Sequence, residues 1–298
     1  MADRSVRTPG SQRRLAWTAG LARAAGRLAR LALEEDHARR DVTSVVALEP
    51  SARCTASIVA RTAGVVAGLP VAAIVYRLYD RRVRVRLISR DGERVGPGAV
   101  LAEVRGPARS VLSCERTVLN FLQRLSGIAT LTSRYVDAVR GTQAEIVDTR
   151  KTTPGWRLIE KYAVRCGGGV NHREHLADMV MFKDNHLALS GKTLDALVGD
   201  ARRKFPGLPV AAEAETLAQV QELLSINVDV LMLDNMTPAM MRNAVRRAQG
   251  RAVLEATGGV TLRTVRAVAM TGVHRISVGA LTHSAPALDI SMDIGVDA

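Results

Sequence analysis

From about residue 144 to residue 281 the chain repeats one alternation. Apolar runs "AEIVD", "MVMFK", "LPVAAEAE", "DVLMLDN", "AVLEATGG" and "RISVGAL" are separated by stretches of helical period such as "TLDALVGDARRKF", "TLAQVQELLS" and "TPAMMRNAVRRAQ". Short apolar strands joined by crossover helices predict a parallel sheet, either a (β/α) barrel or a doubly wound sheet. Upstream the period changes. Leu15, Leu21, Leu28, Leu31 and Leu33, with interleaved alanines, mark one amphipathic helix that ends in the acidic "EED" at 34–36. Residues 52–105 read as an antiparallel β region, with "CTASIVA", "RVRVRLI" and "AVLAEV" punctuated by glycines. Residues 111–139 turn helical and predict two helices that meet near Gly127. The first fourteen residues are polar, basic and broken by Pro9 and Gly10, the composition of a disordered tail.

The strand ends change the picture from architecture to chemistry, because a parallel barrel gathers its site at the carboxyl ends of its strands. "EIV" runs into Asp148, Arg150 and Lys151; "MVMF" into Lys183, Asp184 and Asn185; "VAA" into Glu213 and Glu215. "VLML" runs into Asp234 and Asn235, "AVLEA" into Thr257, Gly258 and Gly259, and "ISV" into Gly279 and Ala280. The turns at the opposite ends, "FPGL", "SINVD", "AQGRA" and "MTGVHR", lack this pattern. One functional face is therefore expected. The segment "GGGVNHRE" adds His172 and Arg173 to it. Four cations in one pocket demand a polyanion, since an isolated buried charge costs several kcal/mol. Paired arginines suit carboxylates or phosphates through bidentate forks. Glycines on the last two strands suit a phosphate at a following helix N-terminus. Glu215 and Asp234 could hold Mg²⁺ directly or through water, bond sugar hydroxyls beside an oxocarbenium ion, or simply neutralise the cations.

Composition narrows the partners. The 298 residues carry a formal charge of +13, which is compatible with nucleic acid, an acidic membrane surface or anionic small substrates. Only 3% of residues are aromatic, so there is little on which bases could stack, and no specific nucleic acid is expected. Lysines stand only at 151, 161, 183, 192 and 204; two of these lie in strand-end motifs of a chain that otherwise uses arginine. No apolar run of about eighteen residues and no signal-peptide pattern occurs, so a cytoplasmic protein is expected. Cys54, Cys114 and Cys166 are odd in number and far apart, which predicts reduced core residues rather than disulfides or a zinc site. Lys183 as a Schiff-base lysine fits poorly among arginines and acids. His175 and His186 read as local caps, His274 as a surface residue in a turn, and the methionines as core filler. "GERVGPGAVLAEVRG" would suit a small lipoyl-like domain, but its turn lacks a lysine to modify.

Taken in order, "ERTVLNFLQRLSGIAT" (115–130), "DTRKTTPGWR" (148–157), "YAVRCGGGVNHR" (162–173), "KDNH" (183–186), "EAET", "LDNM", "GGV" and "VGALTHSAPALDISMDI" resemble the quinolinate phosphoribosyltransferase family over nearly the whole chain. The resemblance implies that quinolinate attacks C1 of phosphoribosyl pyrophosphate and then loses its 2-carboxylate as CO₂, giving nicotinate mononucleotide in NAD synthesis. It implies that Arg116, Arg150, His172, Arg173 and Lys183 hold the two carboxylates, with Arg116 supplied by the partner of a homodimer that could assemble further. Lys151 would meet pyrophosphate, Glu215 and Asp234 ribose and Mg²⁺, and Thr257, Gly258, Gly259, Gly279 and Ala280 the 5′-phosphate. Lys151, Lys183, Glu215 and Asp234 become the catalytic candidates. The implied fold is α/β: an incomplete (β/α) barrel of seven strands over 119–280, beside an N-terminal α/β sandwich over 15–118 that is completed by the tail 281–298. The residue pattern counts six strands, so a seventh short one is expected near "GGVNHR". Two features depart from the family. "EEDHARRDVTS" lacks the glycines of "ED-x-G…GD-x-T", and Thr257 stands where serine is usual. The rivals are a paralogue acting on another heteroaromatic acid, which tends to lose parts of "NHR" and "KDNH", and a nucleic-acid-binding protein.

Overall fold

The computed structural model describes residues 15–296, so the expected basic tail lies outside the described residues. The chain divides into two compact units. Of the described residues, one unit holds 15–133, Lys151–Gly168 and 280–296; the other holds Arg134–Arg150 and Gly169–Gly279.

The first unit opens with α1 (Ala19–Glu35) and α2 (Val42–Ala47), followed by β1 (Arg53–Ala60), β2 (Gly64–Val65), α3 (Leu69–Tyr79), β3 (Arg84–Leu87), β4 (Arg94–Val95) and β5 (Val100–Pro107). Strand β12 (Ile290–Val296), from the C-terminal tail, completes an antiparallel sheet of order β12-β1-β5-β3; β2 pairs with β4. Register is fixed on both sides of β1, where Ala56 faces Ile294 and Val104. Cys54, Ala56 and Ile58 are buried in alternation, the mark of a strand with one covered face. The sheet carries α3, and α1 packs on α3.

Three expectations for this unit are corrected. The region 52–105 is not all β, because "LPVAAIVYRLY" forms α3. Its apolar, β-branched run reads as a strand, but Gly68 starts it at φ 88° and Pro70 sits in the first turn. Helix α4 (Ala108–Ala138) is a single rod of 31 residues rather than two helices. Gly127 is there for approach, not for a turn: a Cβ would overlap the Pro286 carbonyl oxygen and sit 3.0 Å from Ala287 Cα. Helix α1 buries Leu21 with Ala24, Ala25 and Ala29, while Leu31 is exposed, so alanines rather than leucines make its close face. The contact units part within α4, after Ser133, and Lys151–Gly168 groups with the first unit, where α5 (Arg157–Cys166) packs on α1 and on α11 (Ala280–His283).

The second unit is the predicted alternation: β6 (Glu145–Val147), β7 (Val180–Phe182), α6 (Asp184–Ser190), α7 (Leu194–Lys204), β8 (Val210–Ala214), α8 (Leu217–Ser225), β9 (Val230–Asp234), α9 (Pro238–Ala248), β10 (Val253–Thr257), α10 (Val265–Ala269) and β11 (Arg275–Ser277). The six strands form one parallel sheet of order β6-β11-β10-β9-β8-β7. First and last strands in the chain are thus neighbours, as in a barrel, and a doubly wound order is ruled out. The seventh strand expected near "GGVNHR" exists as one parallel bridge, Val170 to Val147, on the free side of β6. The result is an incomplete barrel whose remaining seam lies before β7. Helix N-termini follow the sequence signals: Thr193, Thr216 and Thr237 each accept a main-chain N–H three residues on. Among the described residues no helix is long and apolar enough to cross a membrane.

Candidate functional site

Register sorts the barrel unit into rows that share a face. Nearest the amino ends, Met181, Ala211, Val230 and Val253 are paired neighbours, and with Met232 they pack as an apolar floor. Two residues on along each strand comes a charged row: Lys183, Glu213, Met232, Glu255, Arg275 and Glu145. Two further on stand Glu215, Asp234, Thr257 and Ser277. The face therefore runs from apolar to charged to polar toward the carboxyl ends, where a site was expected.

The charged row is partly self-neutralised. Lys183 Nζ donates to Glu213 Oε1 while Lys183 stays about half exposed. Its main-chain N–H donates to His186 Nδ1 at 3.1 Å, so His186 is a local cap as expected. His175 is likewise local: its N–H donates to Asp178 at 2.8 Å.

The loop "NHR" is tied to β6 from beneath. Asp148 is fully buried and accepts Asn171 Nδ2–H at 2.6 Å and the His172 main-chain N–H at 2.8 Å. It is thus a strand-end clamp that faces the loop. Arg173 donates to the Met179 carbonyl at 3.2 Å and lies against Met181 Sδ at 3.2 Å. Burial, and then the neighbouring Arg150 guanidinium, push Arg173 below the ordinary arginine value; Asp178 and Glu213 act in the opposite direction. Two guanidiniums thus stand close enough to repel, and Arg150 Nε is buried without a hydrogen bond. Such an arrangement is poised for a multiply charged anion.

At the polar row, Asn235 sits at φ 51° and its amide donates to Asp234 Oδ2 at 3.2 Å. Gly258, at φ 87°, is required twice over: any Cβ would overlap Asn235 Oδ1 and lie 2.9 Å from Asp234 Oδ1. Gly259 follows at φ 58° with open space where a side chain would be. Backbone and carboxylate therefore meet without side-chain cover, on the strand that ends in Thr257. Asp234 is half-buried and Glu215 exposed. Among the described residues no group of three His, Cys, Asp or Glu side chains forms a cage for a cation. Gly279 closes β11 in the same unit.

Arg116, Lys151 and Ala280 belong to the first unit. Arg116 is exposed on α4, and Lys151 is exposed at the head of the loop that leads to α5. That loop is held from below. Buried Glu160 accepts the Thr153 N–H at 3.0 Å and its hydroxyl at 2.9 Å, and is paired with Arg124 at 2.8 Å. Thr282 donates to the Lys151 carbonyl at 2.7 Å, and Trp156 stacks on Phe121 with centroids 4.7 Å apart. The three cysteines are buried free thiols, as expected. Desolvation pushes Cys114 up to about 12. His274 is corrected: it is half-buried, and its Nδ1 accepts the Leu254 N–H at 3.0 Å across β10.

Three charged residues of this row, Glu255, Arg275 and Glu145, escaped the strand-end reading, and Glu255 is the most deeply buried of them. Glu255 is 0% exposed, neither carboxylate oxygen has a hydrogen bond, and Oε2 lies 3.3 Å from His172 Nε2. Its only sequence signal is an acid inside the apolar run "AVLEA".

Two family models cover the chain: the N-terminal domain of quinolinate phosphoribosyl transferase over residues 41–126 and its C-terminal domain over 128–293. A probable nicotinate-nucleotide pyrophosphorylase [carboxylating] of Bacillus subtilis is 44% identical over 81% of this chain and 83% of its own length. The Mycobacterium leprae nicotinate-nucleotide pyrophosphorylase [carboxylating] is 43% identical over 89% and 95%. The crystal structure of NadC from Streptococcus pyogenes superposes with a TM-score of 0.87 at 39% identity, covering 91% of this chain and 96% of that one.

Proposed function

The chain belongs to the quinolinate phosphoribosyltransferase family, and on that footing we propose how its residues divide the work. The reaction is transfer of the phosphoribosyl group from phosphoribosyl pyrophosphate to the ring nitrogen of quinolinate with decarboxylation, giving nicotinate mononucleotide, CO₂ and pyrophosphate in NAD biosynthesis. Neither the paralogue with another acceptor nor a nucleic-acid-binding role gains support from the relatives.

The acceptor carboxylates bind at Arg150 and Arg173, with Lys183 turning from Glu213 toward the substrate and His172 beside them. The observation that carries this reading is the pair of mutually repelling, part-buried guanidiniums above an apolar floor. A dicarboxylate relieves both the repulsion and the unmade hydrogen bonds. Held there, the ring nitrogen faces C1 of the donor, and the pyrophosphate leaves as positive charge develops on the ribose. Asp234 and Glu215 hold the ribose hydroxyls, while Gly258, Gly259 and Thr257, with Gly279 and Ala280, take the 5′-phosphate through main-chain N–H groups and one hydroxyl. Lys151 meets the pyrophosphate. Once the nitrogen is quaternised, the C2 carboxylate departs as CO₂, the electron pair left at C2 is stabilised by the adjacent cation, and a proton closes the position. No side-chain nucleophile is needed; placement and charge stabilisation suffice.

The donor set suits Mg²⁺. Asp234 and Glu215 are hard oxygen ligands on neighbouring strands, Gly258 leaves Asp234 Oδ1 uncovered, and two carboxylates are what this ion uses when substrate phosphates complete its shell. Bound there, the ion would neutralise the departing pyrophosphate. A homodimer is part of the proposal: Arg116 is exposed on α4, which supports a role in the partner's site. Three buried, unbridged thiols support a reducing cytoplasm.

The test is an endpoint assay with quinolinate, phosphoribosyl pyrophosphate and Mg²⁺, scored by mass spectrometry. Nicotinate mononucleotide and CO₂ should appear together and vanish when any one component is omitted. Folded protein that forms neither product overturns the reading.

A further inference from the structure

A carboxylate that is wholly buried and makes no hydrogen bond is costly, because folding strips its water and returns nothing. Glu255 is such a group, placed in the middle of β10 rather than at its end. Its surroundings are specific. On one side along the row stands Arg275, whose Nε is also buried without a hydrogen bond and lies 4.0 Å from Glu145. On the other stands Met232. Above it is the His172 ring, 8% exposed, with Nε2 3.3 Å from Glu255 Oε2.

In the ring orientation that faces Glu255, Nδ1 accepts the main-chain N–H of Arg173 at 2.7 Å, which places the hydrogen of the neutral ring on Nε2, the atom directed at Glu255; a ring released from Glu255 is free to turn and lose that bond. Asp148 independently pins the His172 N–H. The imidazole is therefore a strut between strand β10 and the residue that carries the Arg173 guanidinium. Nearby charges are Arg173 and Arg150 on the loop side, Asp148 beneath the loop, and Arg275 and Glu145 along the row.

We propose that Glu255 is a positioning residue for the acceptor site: its carboxylate takes the Nε2 hydrogen of His172, and Nδ1 of that ring holds the Arg173 main chain, so that β10 sets where the guanidinium points. The contact of 3.3 Å is longer than a formed hydrogen bond of this kind. It shortens when a dicarboxylate draws Arg173 into place, as site hydrogen bonds commonly do on loading. His172 thereby positions Arg173 in addition to standing beside the acceptor carboxylates. The proposal rests on the quinolinate reading above, and its test separates the two.

Glu255→Leu removes the acceptor while filling its space; Glu255→Gln keeps an acceptor and the shape. The full-length protein is labelled with ¹⁵N-histidine and the His172 signals are assigned against His172→Gln. Where the ring is neutral, wild type should show the Nε2–H tautomer, Glu255→Leu a mixture, and Glu255→Gln the wild-type pattern. Glu255→Leu should raise KM for quinolinate about tenfold or more while KM for phosphoribosyl pyrophosphate moves less than about twofold, and Glu255→Gln should restore most of the loss. An unchanged tautomer in Glu255→Leu overturns the proposal. So does an equal loss for both substrates with a lowered melting temperature, which is the signature of a merely structural residue. A wild type that converts no quinolinate would overturn the functional reading instead, and the tautomer would still decide the Glu255 contact.

Discussion

At the scale of single residues, the two guanidiniums make the sharpest claim. Arg150→Ala or Arg173→Ala should each remove about 3–5 kcal/mol of transition-state stabilisation, since each strands a substrate carboxylate in a part-buried site. Steady-state kcat/KM for quinolinate measures this, and near-normal values in both variants would sink the assignment of the carboxylate site. His274 offers a pH test. Burial first, and then Arg275, hold its imidazole below the ordinary value, and the neutral ring accepts from Leu254. The unfolded chain therefore takes up the proton near about pH 6.5 while the folded chain resists it. The stability this histidine contributes is full above that pH and is lost as pH falls toward the folded value. Melting temperatures from about pH 7.5 to 5.5 should drop more steeply for wild type than for His274→Asn; parallel slopes would refute it. The same residues show where the sequence was legible. Arg150, Arg173, Lys183 and Asp234 stand out because a charge after an apolar run has no structural excuse. Glu255 does not, because an acid within a strand acquires its meaning only from the register that sets it beside Arg275 and beneath His172.

At the scale of elements, periodicity was readable wherever it was the whole story. The six parallel strands and their helices follow the alternation, since β8, β9 and β10 are buried almost throughout and α7, α8 and α9 each bury one apolar side. Helix α3 is hidden in the sequence because a mostly buried helix shows almost no polar face, and "VAAIVYRLY" has the composition of a strand. Helix α4 looked broken because glycine ordinarily weakens a helix by about 1 kcal/mol relative to alanine. Here the packing outweighs the propensity. Gly127→Ala should gain that helix term yet destabilise the protein by about 1–3 kcal/mol net, because the obstacle is the Pro286 main chain, which cannot rotate away as a side chain would. Chemical denaturation of the variant checks the sign, and a stabilised Gly127→Ala would contradict the contact. The turn at 36–41, which lacks the glycines usual in the family, forms with His37 at φ 46° and with Asp41 capping α2 through the Ser44 N–H at 2.9 Å. The polar cap supplies what the missing glycines left open.

For the molecule as a whole, a formal charge of +13 suits a family whose substrates are multiply anionic. Attraction of that kind is screened by salt. Raising ionic strength from about 0.05 to about 0.5 M should lower kcat/KM for both substrates while changing kcat much less; a flat profile would show that the surface charge serves another end. The strand order has a consequence for how the molecule is made. Strand β1 pairs with β12, so that Cys54 lies opposite Val296, and β6 pairs with β11, so that Val147 lies opposite Ser277. In both sheets an early strand waits for a late one. A chain emerging from the ribosome cannot finish the parallel sheet before β11 or the antiparallel sheet before β12 is synthesised, and the loop to be closed spans most of each unit. The nascent protein must therefore carry β1 and β6 with unpaired edges through most of translation, a period in which chaperones, or the neighbouring copies on the same messenger, meet it before its own tail does.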